Sequence, residues 1–184
     1  MFRRNPLREA AALAYIRIVE QARRPGFFID LGIPDTVDGR FELIALHAFL
    51  YLRRLKGEQP QSGPLAQRFF DTMFTDFDRS LREMGTGDLS VGREVKRMAQ
   101  AFYGRVDAYE KGLAGEASAL QAALARNLFG TASAAPGCLD AMAAYLYREA
   151  AYLDAQPATA LLAGEIRFGD PPVLYSAVKA GAQG

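Results

Sequence analysis

The sequence contains little of what disulfide bonds, metal sites and membrane spans require. Among its 184 residues are one cysteine, one histidine and no tryptophan. One cysteine cannot form an internal disulfide bond, and one cysteine with one histidine cannot supply the usual ligands of a zinc ion. The most apolar stretch, residues 43–52, has about half of the roughly 20 residues that a membrane-spanning helix needs. We therefore expect no metal, no cofactor and no membrane-spanning helix.

The N-terminal segment does not have the pattern of a secretory signal. Its basic residues are not followed by an uninterrupted apolar region, because Arg17 and Glu20 break it. The scarcity of cysteine also fits a reducing compartment. Together these features favour a cytoplasmic protein.

The spacing of apolar residues predicts the fold class. Half of the residues are hydrophobic, and the length fits one domain with a single core. Apolar residues recur at helical spacing, whereas the alternation typical of strands is almost absent. The sequence therefore predicts an all-α, single compact domain of about six to seven helices over residues 1–184, with a core at about 10–155 and a less regular segment at 156–184. The predicted helices cover residues 7–23, 39–56, 64–84, 91–113, 116–128 and 138–154, and a shorter helical piece follows Pro157.

The second predicted helix is apolar nearly all round in its middle, which is typical of a central, enclosed helix. Thr36 or Asp38 is expected to cap its N-terminus, and Asp88 or Ser90 that of the fourth helix. The segment 27–39, which precedes the second helix, is predicted to be a loop.

Charge is nearly balanced overall but unevenly placed. The net charge of +1 argues against a dedicated DNA-binding protein, and no DNA partner is expected. Residues 1–106 nevertheless carry a net charge of +4 and residues 107–184 one of −3. Basic side chains of the first part are candidates for contact with an anionic lipid surface or RNA, with ordinary solvation as the alternative. They are Arg53, Arg54, Arg93, Lys96 and Arg97, together with Arg3, Arg4 and Arg8.

The single histidine is the main candidate for catalysis. His47 lies in the enclosed second helix and would need a carboxylate to orient it as an acid or base. Asp35, Asp38 or Asp71 would have to approach it around a closed pocket. A core histidine with satisfied hydrogen bonds is favoured over this arrangement. No catalytic residues are assigned, and a small-ligand enzyme built on His47 stays an alternative.

Two segments carry a resemblance that is more specific than any of these features. Residues 33–55 contain DGRFELI and LHAFL, and residues 65–105 contain DxDRSLREMGxGDLSVG and AFYGR. These segments resemble the core of the ubiquinol–cytochrome c chaperone family, which includes mitochondrial assembly chaperones for cytochrome b and shorter alphaproteobacterial relatives. The resemblance covers roughly residues 10–155.

The resemblance implies a role without a chemical reaction. It implies a non-catalytic assembly chaperone that binds newly made cytochrome b and supports biogenesis of the ubiquinol–cytochrome c reductase complex, respiratory complex III. It implies a cytoplasmic protein, with the ribosome or the inner face of the cytoplasmic membrane as further candidate partners. A peripheral lipid- or quinone-binding protein is the other alternative. The oligomeric state stays open.

The resemblance also directs attention to particular side chains. Binding an apolar client needs adaptable aromatic and methionine side chains on a surface, with core packing as the alternative for each of them. The candidates are Phe49, Tyr51, Phe69, Phe70, Met73 and Phe74. Polar residues in the same segments are candidates either for function or for capping and bracing helices. They are Asp35, Asp38, Arg40, His47, Asp71, Asp78 and Asp88.

Overall fold

A computed structural model describes residues 5–174, and this part of the chain is helical, with turns and irregular segments but no β-strand. The predicted all-α fold is confirmed. Within the described part, six helices have eight residues or more and two have five. The helices are α1 (Pro6–Ala22), α2 (Pro25–Ile29), α3 (Val37–Lys56), α4 (Gly63–Glu83), α5 (Asp88–Leu113), α6 (Ala117–Leu124), α7 (Cys138–Asp154) and α8 (Ala158–Leu162).

Local capping explains where two helices begin. Asn5 accepts a hydrogen bond from the Arg8 amide at 3.2 Å at the start of α1. Thr36 accepts one from the Gly39 amide at 3.1 Å at the start of α3, so the prediction of Thr36 as a cap is confirmed. The N-cap of α5 is Gly87, without a side-chain cap, so the prediction of Asp88 or Ser90 there is wrong.

Two connecting segments differ from the prediction. Part of the segment predicted as a loop at 27–39 belongs to the short helix α2. The predicted helix at 116–128 is divided into α6 and a π-helical turn, Ala125–Phe129, which ends at Gly130. Leu128 and Phe129 of this turn are both buried.

Helix α3 lies at the centre of the molecule, as predicted. It packs against α1, α4, α5, α7 and the π-helical turn. Its middle, from Leu43 to Tyr51, is buried on all sides. Phe49 meets Tyr109 of α5 with ring centres 5.5 Å apart, and Tyr51 meets Phe69 of α4 at 5.1 Å. Helices α4 and α5 also pack against each other, so the two segments of the family resemblance form one continuous body.

The irregular segment at residues 164–174, called the C-terminal strap below, is pinned to the helices. Gly164 has φ of +81°, and a β-carbon there would lie 2.1 Å from the carbonyl oxygen of Ala10 in α1. The Gly169 amide donates to the buried carboxylate of Glu149 at 2.8 Å, and Gln21 donates to the Gly169 carbonyl at 2.8 Å. The strap is irregular, but its backbone is tightly held. Residues 175–184 lie outside the described part.

Candidate functional site

The two segments of the resemblance meet at a buried ion pair. Glu42 of α3 is 5% exposed, and both of its carboxylate oxygens accept hydrogen bonds from the guanidinium of Arg105 in α5. The same guanidinium lies over the ring of Phe41, 5.4 Å from its centre. Burial raises the pKa of Glu42, and the hydrogen bonds from Arg105 oppose that shift. These motif residues fix α5 against α3.

A second cluster of charged side chains links the two ends of the turn between α4 and α5. Arg82 donates to Asp78 within α4 at 2.7 Å and also to Asp88 at the start of α5. Gly85 between them has φ of +87°, which favours glycine. Asp78 and Asp88 therefore brace the turn, although their exposure to solvent limits what each ion pair contributes to stability.

The other acidic candidates lie apart from one another. Asp35 pairs with Arg40 at 2.6 Å on the surface, and the hydrogen bond from Arg40 lowers the pKa of Asp35. Asp71 accepts from Gln67 at 2.8 Å on the exposed face of α4. Asp38 lies in the first turn of α3. Over residues 5–174, no group of three or more histidine, cysteine, aspartate or glutamate side chains is placed to hold a metal ion.

His47 is a satisfied core histidine. Its Nδ1 lies 2.7 Å from the Leu43 carbonyl oxygen and its Nε2 lies 2.8 Å from the Tyr145 hydroxyl. Gln21 donates to that hydroxyl at 2.9 Å, so Tyr145 donates its own proton to Nε2 and Nδ1–H donates to Leu43. Phe168 of the strap packs edge-on against the imidazole, with ring centres 5.0 Å apart.

This arrangement contradicts the hypothesis of an acid–base site around His47. Asp35 and Asp71 are hydrogen-bonded at the surface, and neither contacts the imidazole. The ring is fully buried, and both nitrogens are already occupied. The alternative of a small-ligand enzyme built on this histidine is therefore dropped.

We predict that His47 does not titrate near neutral pH. Burial lowers its pKa from 6.5 to about 4. The unfolded chain then binds more protons than the folded protein between pH 6.5 and 4. The neutral, buried His47 therefore makes its full contribution to the free energy of unfolding above pH 6.5. That free energy decreases by about 3 kcal/mol as the pH falls towards 4.

The measurement is an NMR titration of the imidazole signals. The chain has one histidine, so these signals need no site assignment. They are expected to stay unchanged from pH 8 to pH 5. A titration midpoint near the ordinary value of 6.5 would show that the ring is not enclosed as described.

The structure corrects the set of aromatic and methionine candidates. Tyr51, Phe69 and Met73 are completely buried, so these three cannot contact a client in this conformation. The reason is that α3 is covered on all sides and the inward faces of its neighbours fill the core. Phe74 is 8% exposed, and Phe49 is 1% exposed. Phe70 is only partly buried and packs against Phe74, with ring centres 4.5 Å apart.

Phe70 forms one wall of a surface groove between α3, α4 and α5, called the aromatic groove below. Its ring is stacked on that of Tyr103 of α5, with centres 5.8 Å apart. Tyr103 is 62% exposed at the rim. The groove has a volume of about 350 Å³. Its lining is mostly apolar and consists of Phe49, Leu52, Ala66, Phe70, Phe102, Tyr103 and Val106, with Arg53, Lys56, Gln59, Gly63, Gln67 and Glu110.

Tyr103 is the surface residue that sequence reasoning missed. It lies within AFYGR, but its ring points outward while its neighbour Phe102 is 1% exposed. The available signal was helical phase, because Tyr103 is three residues after Gln100 and seven after Lys96, on the polar side of the predicted helix. Phe102 and Tyr103 thus divide between the core and the groove rim.

Several basic candidates are occupied by internal partners. Arg53 pairs with Glu110 at 3.3 Å and Asp154 at 3.4 Å, which ties α3 to α5 and α7. Arg54 pairs with Glu58 and also donates to the Leu153 carbonyl at 3.2 Å. These arginines hold helices together, so the structure gives little support to their role as free anion contacts.

Two of the three basic candidates of α5 are different. Arg97 pairs with Glu94 at 2.9 Å. Arg93 and Lys96 are exposed and have no ion-pair partner among residues 5–174. Arg3 and Arg4 lie outside the described part. Two unpaired cations therefore stand on the surface of α5, beyond the rim of the aromatic groove.

The comparisons with known proteins agree on one family. The sequence model of the ubiquinol-cytochrome C chaperone family matches residues 30–168. A crystal structure of a Cbp3 homologue from Brucella abortus is similar, with a TM-score of 0.78 and 41% sequence identity, over 88% of this chain and 89% of that one. Helices α3 to α8 and the aromatic groove all lie within the matched residues.

Two vertebrate relatives are more distant. The chain is 28% identical to ubiquinol-cytochrome c reductase complex assembly factor 1 of Mus musculus over 160 residues, which is 86% of this chain and 54% of that protein. It is 27% identical to the protein of that name from Xenopus laevis over 85% of this chain and 79% of that protein. The chain thus spans about half the length of the mouse relative.

Proposed function

Because the chain belongs to the ubiquinol-cytochrome C chaperone family, we propose that it supports assembly of the ubiquinol–cytochrome c reductase complex without catalysing a reaction. The observation that carries this proposal is the family match over residues 30–168. The similarity to a solved Cbp3 homologue over most of both chains supports it. We further propose that newly made cytochrome b is the client.

The aromatic groove is the surface that we assign to the client. An apolar helix can lie in a groove of exposed aromatic rings and can be released without a chemical step. Phe70 and Tyr103 supply the rings, and Tyr103 is 62% exposed at the rim. Lys56 lines the same groove and has no ion-pair partner among the described residues. A client segment with an apolar face and an acidic or carbonyl-rich end would fit this lining.

The proposed client also determines where the chain would act. Cytochrome b is a membrane protein, so a chaperone that holds it before assembly must work next to a membrane. Within residues 5–174, none of the helices is both long and apolar enough to cross one. We propose action from the cytoplasmic side, with the chain in contact with the membrane surface.

The experiment is photo-crosslinking in cells from a light-activated amino acid placed at Tyr103. The matched control is the same amino acid at Tyr152, an aromatic residue of α7 that is 41% exposed and lies outside the groove. We expect newly made cytochrome b to be captured from position 103 far more strongly than from position 152. The groove contacts explain the difference, since both positions tolerate a bulky exposed side chain.

Two other results would reject parts of the proposal. Equal capture of cytochrome b from both positions would mean that the groove is not the client surface. Capture of a different subunit of the reductase from position 103 would reject cytochrome b as the client but would retain the assembly role.

A further inference from the structure

One face of α5 is turned to solvent along most of the helix. Leu89, Arg93, Lys96, Gln100 and Tyr103 are all exposed. Their spacing of four, three, four and three residues places them within about 40° of one line, because each residue turns the helix by about 100°. The line is about 21 Å long at 1.5 Å per residue. We call this set the α5 stripe.

The cations of the stripe are not used inside the protein. Arg93 and Lys96 stand one turn apart and have no ion-pair partner among residues 5–174. None of the five stripe residues is acidic, and Glu94, the one acid of α5 between Leu89 and Tyr103, pairs with Arg97 at 2.9 Å. The acids at either end are already paired, since Asp88 contacts Arg82 and Asp107 contacts Lys111 at 2.8 Å. The stripe therefore presents uncompensated positive charge.

The apolar residues at the ends of the stripe indicate a partner that offers an apolar interior as well as negative charge. Leu89 is 92% exposed, which is the highest value among the exposed large hydrophobic residues of the described part. Met84, just before the α4–α5 turn, is 53% exposed, and Tyr103 at the far end is 62% exposed. Removing such side chains from water lowers the free energy, so a partner that buries them binds more tightly.

We propose that the α5 stripe docks on an anionic lipid surface. Arg93 and Lys96 would meet the head groups, Leu89 would enter the upper acyl region, and Tyr103 would lie at the level of the head groups. The pattern favours lipid over RNA because a phosphate backbone would use the two cations but would leave the leucine in water. This docking does not depend on the proposed client.

The stripe and the aromatic groove share Tyr103, so the surfaces adjoin. A protein docked through the stripe would hold the groove beside the membrane. A client segment leaving or entering the membrane would then have a short path to it.

The test is flotation of the purified protein with lipid vesicles. The probe is vesicles of phosphatidylglycerol and phosphatidylcholine, compared with pure phosphatidylcholine. We expect binding to the anionic vesicles at low salt, weakened by added salt. The variant Arg93→Glu/Lys96→Glu is expected to lose about tenfold or more in partition, and Leu89→Ser several-fold. The control Arg68→Glu/Arg126→Glu makes the same change in net charge at two exposed arginines without ion-pair partners among the described residues, and it should bind as the unchanged protein does.

Each other result overturns the proposal. No binding to anionic vesicles at low salt would reject it directly. Equal losses in the two double variants would show that net charge alone is responsible. Binding to single-stranded RNA that depends on Arg93 and Lys96, with vesicle binding unaffected by Leu89→Ser, would assign the stripe to nucleic acid. Circular dichroism of every variant confirms that a loss of binding is not a loss of folding.

Discussion

Arg105→Gln is expected to lower the free energy of unfolding by about 3 kcal/mol. The reason is that Glu42 is 5% exposed and receives both of its charge-assisted hydrogen bonds from this guanidinium. Without Arg105, a buried carboxylate is left with its charge uncompensated. Because the pKa of Glu42 is already raised by burial, the difference in stability between the variant and the unchanged protein should shrink as the pH falls and the carboxyl group takes up a proton. Urea unfolding at pH 7.5 and at pH 5 measures both effects.

Two controls separate this explanation from a general effect of losing an arginine. Arg97→Gln removes an exposed pair with Glu94 on the same helix and should change stability by less than about 1 kcal/mol. The double variant Glu42→Gln/Arg105→Gln removes both charges and should be more stable than Arg105→Gln alone. A loss below about 1 kcal/mol for Arg105→Gln would contradict the role assigned to this pair.

Helices could be predicted because their signals are local. The predicted helix at 138–154 has the bounds of α7, and Thr36 caps α3, since periodicity and capping depend on residues a few positions apart. The central position of α3 could be predicted because apolar residues lie on all sides of the middle of this helix.

Pairings between helices could not be predicted in this way. Glu42 and Arg105 are 63 positions apart, and Gln21 and Tyr145 are 124 apart. Their contact depends on how the helices pack, and no pattern of neighbouring residues in the sequence reports on that packing. For the same reason the side chains that hold the strap, such as Glu149, were not identified as functional parts of the fold.

The candidate site was predicted only in part. The sequence placed Phe70 and the second and third predicted helices in the client surface, but it could not tell surplus apolar residues from core residues. Tyr51, Phe69 and Met73 have the same hydrophobicity whether they face the core or solvent, and the structure places them in the core. Among the cations, the unpaired Arg93 and Lys96 could be separated from Arg53 only once its partners in α5 and α7 were known.

Deletion of the gene for this chain is expected to leave cells with little assembled ubiquinol–cytochrome c reductase. An unheld membrane client exposes apolar helices that aggregate or are degraded before assembly, so cytochrome b should be depleted as well. Other respiratory complexes with separate subunits should keep their activity. The loss should be complete enough to abolish growth that depends on the reductase.

Complementation connects this effect to the aromatic groove. A plasmid that encodes the unchanged chain should restore the reductase, and so should one that encodes Tyr152→Asp on α7. Tyr103→Asp places a charge at the groove rim, where the ring is 62% exposed and is not needed for the core. It should therefore fold and accumulate normally but restore little activity. Immunoblots of the chain itself verify that its amount is equal in all strains.

The most direct measurement is the spectroscopic content of cytochrome b, together with ubiquinol–cytochrome c reductase activity, in membranes of the deletion strain and its complemented derivatives. We predict that both fall together in the deletion strain, return with the unchanged chain and with Tyr152→Asp, and stay low with Tyr103→Asp. Normal cytochrome b content and normal reductase activity in the deletion strain would contradict the proposed assembly function.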